Sequence, residues 1–397
     1  MAINPNIFKA YDIRGKVPKE LNVDSARCIG NAVAEYLAKK YRKRNLTLLV
    51  GSDVRISSPV LKKALIEGIV TQGSSVIDIG TVTTPLFYFA LGHSKNDGGI
   101  MVTASHNPAG YNGFKIRGRN TQPIAERSGL RVIQKLANKK GLIEGETLGR
   151  ISVKKDTLEP YIAKLRRKIR IGKARVVIDA ASGSATLVLP KLLSHFPGLI
   201  YKPLFFQPDG TFSVHDPNPL KPDAQDFIKE ELKEGSFDFG VIFDGDGDRI
   251  VFFDEFGNEV RGDFIVAILA AEFLKKHRRS WVVINATASK AVEEYIYSSG
   301  GKPVRSRFGY VNITNAMRKK KAIIGGETSG HFYFREFGYN ESSMYTLLKM
   351  LEIVSRTPKK LSHFIQPLRK YVSGPEVNFM VKNRTRVLGA AEKQFGR

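Results

Sequence analysis

Alternation of strand-length apolar segments with amphipathic helical segments is the feature that most constrains how this 397-residue chain can fold. Short apolar runs such as LTLLVGS at 46–52 and WVVINA at 281–286 are separated by stretches with apolar residues three or four positions apart, such as 23–43 and 263–277. Buried strands that alternate with helices are typical of α/β proteins, in which most neighbouring strands are parallel. We therefore predict an α/β fold.

The alternating pattern recurs in successive modules. Polar or charged stretches divide the chain into predicted domains at 1–152, 153–256 and 257–368. The remaining segment, 369–397, has the pattern of one strand followed by one helix and is too short to bury a core alone. The sequence thus predicts three complete domains and the beginning of a fourth.

The net charge of +25 favours anionic ligands or polyanionic partners. The basic runs lie at predicted helix ends and in loops, where cations complement the helix dipole, so a solvated surface explains them more simply than nucleic-acid binding. They occupy 39–44, 164–175, 275–279 and 318–321. We expect a small anionic substrate, with nucleic acid an unlikely partner.

A single cysteine, Cys28, excludes an intrachain disulfide and favours a reducing compartment. The sequence shows no signal-peptide pattern, and its longest apolar runs are too short to span a bilayer. We expect a cytoplasmic protein without a membrane partner, as a monomer or a dimer.

The segment 98–118, GGIMVTASHNPAGYNGFKIRG, carries the strongest chemical signal. An apolar strand runs directly into the turn Ser105-His106-Asn107-Pro108, with Lys115 close behind, and we expect the Ser105 hydroxyl to be exposed on this turn. A free serine is a weak nucleophile, and a phosphoserine needs nearby cations and a metal ion to tolerate its charge. The pattern suits covalent phosphoryl transfer.

A second motif, Asp244-Gly245-Asp246-Gly247-Asp248-Arg249, places three carboxylates at alternate positions between two predicted strands. Carboxylate oxygens at this spacing suit Mg²⁺, with room for a phosphate oxygen. An ordinary Asp/Gly turn is the simpler alternative, because both residues favour turns. A calcium loop of the EF-hand type is excluded, since Arg249 stands where that loop requires glycine.

Two further loops have candidate binding residues. The loop GGETSGH at 325–331 presents a carboxylate, hydroxyls and an imidazole that could hold sugar hydroxyls, although a glycine-rich turn with a satisfied histidine is the alternative. Near the start, Arg14 in YDIRG could clamp a phosphate, although a lone arginine is usually a surface charge. A zinc hydrolase has no support, because HExxH and paired-cysteine motifs are missing from the sequence.

Taken in order, FKAYDIRG, TASHNP with YNGFKI, DGDGDR and GGETSGH resemble the α-D-phosphohexomutase family, in its phosphomannomutase/phosphoglucomutase branch. GSDVRISSP at 51–59 and HDPNPLKPD at 215–223 are also similar to that family. The resemblance covers essentially the whole chain. It implies three successive mixed-sheet α/β domains around a central cleft, followed by a truncated fourth domain at 369–397.

The resemblance also implies roles for particular residues. Ser105 would carry the phosphoryl group, and Mg²⁺ would be held by Ser105 through its phosphate, Asp244, Asp246 and Asp248. Arg14, His106, Lys115 and Arg249 would line the catalytic centre, with Lys115 the preferred proton-transfer partner. Gly309, Glu327, Ser329 and His331 would belong to the substrate-binding loops.

The function implied is a Mg²⁺-dependent mutase that interconverts the 1- and 6-phosphates of mannose and glucose. It would act through a phosphoserine and a hexose 1,6-bisphosphate, which also serves as activator. One alternative is a phosphoglucosamine mutase, whose sugar loop usually has glutamine where Thr328 stands. Another is a truncated, non-catalytic relative that binds a sugar phosphate or nucleic acid.

The sequence departs from the family pattern in two ways. The chain stops at Arg397, before the serine- and threonine-rich loop with which the family's fourth domain binds the substrate phosphate. In the third domain, Tyr310 stands where a histidine is common, and Asn340-Glu341-Ser342 stands where acidic residues are common. These departures leave phosphate affinity and sugar preference open.

Overall fold

The computed structural model describes residues 3–139, 141–372, 374 and 379–396. Within them the backbone forms three β-sheets, each built from parallel and antiparallel strand pairs and covered by helices. The predicted α/β architecture of three successive mixed-sheet units is therefore confirmed. We refer to them as the first, second and third units.

The first unit has a six-stranded sheet in the order β1-β5-β4-β2-β3-β6. Its strands are β1 Ile13–Lys16, β2 Thr47–Ser52, β3 Ser75–Thr81, β4 Gly98–Val102, β5 Tyr111–Gly118 and β6 Ile151–Val153. Its helices are α1 Val23–Tyr41, α2 Ser58–Thr71, α3 Thr84–Gly92 and α4 Leu130–Ala137. Strands β2, β3, β4 and β6 are parallel, whereas β5 runs antiparallel between β4 and β1, so the chain reverses at the end of β4.

The second unit has a five-stranded sheet in the order β11-β10-β9-β7-β8. Its strands are β7 Ala174–Asp179, β8 Leu199–Leu204, β9 Phe239–Phe243, β10 Ile250–Asp254 and β11 Glu259–Val260. Its helices are α5 Leu158–Arg166, α6 Leu189–Leu193 and α7 Asp226–Glu234. Strands β9 and β10 form an antiparallel hairpin whose connection contains the three aspartates.

The third unit has a five-stranded sheet in the order β13-β12-β14-β15-β16. Its strands are β12 Trp281–Asn285, β13 Lys302–Ser306, β14 Ile324–Gly326, β15 Phe332–Phe334 and β16 Asn340–Glu341. Its helices are α8 Gly262–Leu274, α9 Lys290–Ser298, α10 Tyr310–Lys320, α11 Ser343–Val354 and α12 Leu361–Ile365. A last helix, α13 Arg384–Phe395, has only exposed residues.

A continuous apolar core joins the three units. One cluster of buried side chains contains Phe87 of the first unit, Phe243 of the second and Leu347 of the third. Complete burial of a leucine or phenylalanine side chain stabilises a fold by about 1.5–3 kcal/mol, so the shared cluster stabilises the packing of the three units against one another. This packing brings the loops at their junction together.

Several predicted elements differ in detail. The sequence predicts a helix over 124–138, but the helix begins only at Leu130, because Glu126–Ser128 forms a separate 3₁₀ turn. The strand predicted at the start of the last segment falls partly on 375–378, which lie outside the described residues, and 379–382 are not a strand. The domain limits 1–152, 153–256 and 257–368 stay predictions. Among the described residues, no helix is both long and apolar enough to cross a bilayer.

Candidate active site

A cavity of about 430 Å³ opens where loops of the three units meet. Most of the residues singled out from the sequence line it. The first unit provides Arg14, Ser105 and Lys115, the second provides Asp248 and Arg249, and the third provides Gly309, Glu327, Ser329 and His331. The cavity therefore gathers residues separated by more than 300 positions in the chain.

Ser105 lies just beyond β4 with a φ of 52°, in the left-handed region that few residues other than glycine adopt. Its amide donates to Thr103 Oγ1 at 2.9 Å, and its Oγ donates to Asp244 Oδ2 at 2.9 Å. The expectation that this hydroxyl is exposed is wrong, because Ser105 is only 1% exposed. Gly245 of the second unit covers the turn so closely that a Cβ there would lie 2.8 Å from the Ser105 carbonyl oxygen.

The three aspartates of the β9–β10 connection are all buried. The loop turns tightly at Gly247, whose φ is 71°, and Asp244 Oδ1 accepts from the amides of Asp248 and Arg249 at 3.0 and 3.1 Å. One oxygen from each aspartate lies within 4.8 Å of the others. The loop therefore directs three carboxylates toward one point beside Ser105.

These carboxylates fit a divalent cation. Asp246 Oδ1 and Asp248 Oδ1 are buried, and neither has a hydrogen-bond partner among the described residues. Burial, together with repulsion from Asp248 and Asp246, raises the pKa of Asp244 well above its ordinary value. A hard cation with oxygen ligands would relieve this repulsion and satisfy the unpaired oxygens. The donor set thus suits Mg²⁺.

Lys115 reaches the same carboxylates from β5. Its Nζ lies 2.9 Å from Asp246 Oδ2 and also donates to Asp248. Burial by itself would lower the pKa of Lys115, but the two carboxylates outweigh burial and raise the pKa well above its ordinary value. Lys115 is therefore a firmly protonated cation in this arrangement.

Arg14 and His106 flank the serine turn. Arg14, on β1, donates through Nη1 to Asn107 Oδ1 at 2.6 Å and through Nε to Asp12 at 2.9 Å. His106 Nδ1 lies 3.4 Å from Ser105 Oγ. Burial and the nearby arginines lower the pKa of His106 to about 2, so the ring is neutral at physiological pH. His106 contacts the serine without lining the cavity.

The opposite wall comes from the third unit. Glu327 Oε1 accepts from the Gly309 amide at 2.8 Å, and its Oε2 accepts from Tyr333 Oη at 2.7 Å. Ser329 Oγ lies 3.1 Å from His331 Nδ1. A carboxylate, a hydroxyl and an imidazole of this loop thus line the cavity, and Glu327 also anchors the start of α10.

Arg249 joins the second unit to the third. Its backbone forms an antiparallel bridge with His331, and its Nε–H donates to His331 Nε2 at 3.2 Å. His331 Nε2 also lies 3.5 Å from Asp248 Oδ1. The aspartate loop and the GGETSGH loop are therefore one connected structure.

Tyr11, Tyr310 and Glu341 also line the cavity, although the sequence did not assign them to the site. Tyr310 Oη donates to the Tyr11 carbonyl at 2.7 Å, which ties α10 to the segment before β1. Glu341 is 2% exposed and has its Oε2 3.7 Å from the buried guanidinium of Arg117. The YDIRG motif and the unusual Asn340-Glu341-Ser342 segment were the available signals, but neither indicates a contact with Arg117.

Comparison with known proteins agrees with this geometry. Residues 5–142, 159–257 and 261–371 match the models of α/β/α domains I, II and III of phosphoglucomutase/phosphomannomutase. A phosphomannomutase of Vibrio cholerae serotype O1 is 39% identical over 94% of this chain and 82% of its own length. A Xanthomonas campestris protein described as "Phosphohexose mutases" is 36% identical over 98% of this chain and 86% of its own length.

A similar solved structure is a phosphoglucomutase/phosphomannomutase family protein from Burkholderia thailandensis. It superposes with a TM-score of 0.86 at 29% identity, over 94% of this chain and 81% of that chain. The three domain models match in chain order, the relatives named as mutases align over most of their length, and the fold is shared. All three findings indicate one family. The chain belongs to the phosphoglucomutase/phosphomannomutase family of hexose-phosphate mutases.

Proposed function

We propose that this mutase interconverts the 1- and 6-phosphates of mannose and glucose through a phosphoserine at Ser105 and a hexose 1,6-bisphosphate. The observation that supports this most directly is the position of Ser105 Oγ, which borders the cavity and lies 2.9 Å from Asp244. Arg14 and Arg249 line the same cavity, so its walls carry the cations that a phosphorylated ligand needs. An alcohol, carboxylates and arginines at one point are the components of phosphoryl transfer.

We further propose that Asp244, Asp246 and Asp248 hold Mg²⁺, with a phosphate oxygen on Ser105 as a further ligand. Bound there, Mg²⁺ would neutralise charge on the transferring phosphoryl group. The unpaired oxygens of Asp246 and Asp248 support this assignment.

In the first transfer, the bond between phosphorus and Ser105 Oγ breaks and a bond forms to the free hydroxyl of the sugar phosphate. Arg14 and Arg249 would stabilise the negative charge on the phosphoryl oxygens, because charge neutralisation and alignment supply most of the rate in such reactions. Lys115 is our candidate for the proton-transfer partner of the attacking hydroxyl. Beside the free carboxylates its amine is protonated and cannot accept a proton. With Mg²⁺ on those carboxylates, burial would favour the neutral amine, which can accept the proton that the hydroxyl loses.

In the second transfer, the bisphosphate intermediate binds in the opposite orientation. The bond between its other phosphorus and the sugar oxygen breaks, and a bond forms to Ser105 Oγ. The third-unit wall must therefore bind the ring in two orientations. Glu327, Ser329 and His331 offer hydrogen-bond donors and acceptors on one loop, which suits hydroxyls presented from either side. We assign sugar recognition to these residues.

Conversion of mannose 1-phosphate and glucose 1-phosphate tests the proposal. Each is incubated with Mg²⁺ and a trace of glucose 1,6-bisphosphate, and the 6-phosphate is measured for the natural protein and for Ser105→Ala. We expect turnover that disappears with the serine. Turnover by Ser105→Ala at the natural rate would contradict the phosphoserine.

A further inference from the structure

Arg55 is one of the most deeply buried charged residues in the protein. It follows β2 in the segment 51–59, is 1% exposed, and does not line the cavity. Its side chain nevertheless extends to the turn that carries Ser105. The proposed mechanism gives Arg55 no role. It does not explain why a charged side chain is buried here with its guanidinium group against the Ser105 turn.

The guanidinium of Arg55 uses all its N–H groups, and four of the acceptors are backbone carbonyls of the Ser105 turn. Nη1 donates to the carbonyls of Pro108 at 2.8 Å and Tyr111 at 3.1 Å. Nη2 donates to the carbonyls of Ser105 at 2.7 Å and Asn107 at 2.5 Å. A planar fork can satisfy this many diverging carbonyls, whereas an ammonium group cannot.

The Nε edge and one face of the Arg55 guanidinium are held by neighbouring side chains. Its Nε donates to Asp53 Oδ2 at 3.1 Å, and Asp53 Oδ1 accepts from Ser58 Oγ at 2.6 Å. The ring of Phe212, from the second unit, lies 5.0 Å from the guanidinium carbon. Carboxylate and ring together hold the guanidinium plane in one orientation.

The turn needs such support because its conformation is unfavourable by itself. Ser105 has a φ of 52°, and the carbonyls at 105, 107, 108 and 111 all accept from Arg55. Without Arg55, the buried Ser105 carbonyl would lose this partner, the three part-buried contacts would be lost with it, and the serine could relax to a commoner conformation. Either change would move Ser105 Oγ away from Asp244.

We propose that Arg55 is a positioning residue for phosphoryl transfer, which holds the backbone of 105–111 so that Ser105 Oγ stays aligned with Asp244 and the cavity. The inference rests on the proposed function, in which Ser105 carries the phosphoryl group. Arg55 acts through the serine and not on the sugar. Arg55 contributes through the position of the backbone that it holds.

The test compares Arg55→Ala and Arg55→Lys with the matched control Arg27→Ala. Arg27 also pairs with carboxylates in the first unit, through Glu67 and Asp24, but lies outside the cavity. The rate of ³²P transfer from glucose 1,6-bisphosphate to Ser105 is measured beside kcat and KM. Because misplacement by about 1 Å can cost about 100-fold, we expect both Arg55 variants to lose about 100-fold in labelling and kcat.

Three readouts separate positioning from a loss of stability. The KM for the sugar phosphate should stay within about threefold, because the sugar wall belongs to the third unit. Millimolar guanidinium ion should restore part of the labelling rate of Arg55→Ala, and should do nothing for Arg55→Lys or Arg27→Ala. Amide exchange over 105–111 should rise in both Arg55 variants.

If the Arg55 variants do not fold, Phe212→Leu is used in their place. This substitution keeps Arg55 and its hydrogen-bond acceptors but removes the aromatic ring that packs against the guanidinium. We expect slower labelling of Ser105 and faster amide exchange over 105–111 in that variant. Natural labelling in any folded Arg55 variant, or in Phe212→Leu, would overturn the inference, as would a raised KM with unchanged kcat. A natural protein that takes no label at Ser105 would instead overturn the proposed function, and the inference with it.

Discussion

The hydroxyl of Ser105 donates to Asp244 across the junction between the first and second units. The residue proposed to carry the phosphoryl group and a residue proposed to hold the metal are therefore in direct contact. Substitution of Ser105 should remove the phosphoryl carrier, whereas substitution of Asp244 should weaken Mg²⁺ binding. Labelling of the serine and metal affinity measure these two effects.

Ser105→Ala should abolish turnover while the protein stays folded. The substitution removes a hydroxyl that makes one strong contact, and the loss of such a hydrogen bond costs about 1 kcal/mol of stability. Mutase activity and thermal unfolding are measured together. Ser94→Ala, which removes a hydroxyl that donates to the Leu91 carbonyl, is the control and should keep its activity.

Asp246→Asn should abolish activity at ordinary Mg²⁺ concentrations. Even outer residues around a metal site typically change affinity by about 10–100-fold, so loss of a direct ligand should exceed that range. Mg²⁺ binding is measured by calorimetry. Asp254→Asn alters a buried aspartate at the other end of β10 and should leave Mg²⁺ affinity unchanged, although it lowers stability. Unaltered binding by Asp246→Asn would mean that the loop is only a turn.

Glu327→Gln should impair sugar binding more than phosphoryl transfer. The amide can still accept from the Gly309 amide and can donate to Tyr333 Oη, so the wall keeps its shape, while a charged acceptor for sugar hydroxyls is lost. We expect KM to rise about tenfold, with kcat changed less. Glu327→Ala leaves two buried groups without partners and should also unfold more readily. Equal losses in KM and kcat for Glu327→Gln would count against its assignment to the sugar.

Stability should fall as pH rises above about 6.5, because of His215. Burial would lower the pKa of His215, but its contact with Asp179 at 3.2 Å outweighs burial and raises the pKa above the ordinary 6.5. Its Nδ1 lies 2.8 Å from the Asp216 carbonyl, so the charged ring has an acceptor on each side. The stabilisation is complete below pH 6.5 and is lost as pH rises through the raised pKa.

Burial also raises the pKa of Asp179, and this shift has the same sign because the folded pair binds protons more tightly. For one proton, the free energy of unfolding should fall by no more than about 1.4 kcal/mol per pH unit. Urea unfolding between pH 5.5 and about 9 measures it. The slope should disappear in His215→Gln and persist in His195→Gln, which changes an exposed histidine. A natural protein with constant stability across this range would refute the charged pair.

Local patterns predicted most of the scaffold. Strands such as β2 and β12 are continuous apolar runs, and their neighbouring helices have clear periodicity, so both kinds of element could be recognised. Strands β1 and β6 are four and three residues long and depend on pairing with β5 and β3. Neither segment has the continuous apolar run of a buried strand, so the sequence did not predict either strand.

The site was predictable where the chemistry lies in one short motif, as in the aspartate loop. Burial of Ser105 was not, because the residue that covers it, Gly245, is 140 positions away in the sequence and has no side chain to reveal the contact. Neither Arg55 nor Glu341 was assigned to the site from the sequence, for a related reason. An isolated arginine or glutamate in a sequence looks like a surface charge until its partners are known.

Gly309 has a φ of 95°, and a Cβ at this position would run into the ring of Tyr11, which also lines the cavity. Two walls that belong to different units thus meet at a point with no side chain between them. The two walls can approach this closely because Gly309 has no side chain, and one added methyl group would push them apart. The width of the cavity at this point therefore depends on a residue without a side chain as well as on the residues that we propose bind the sugar.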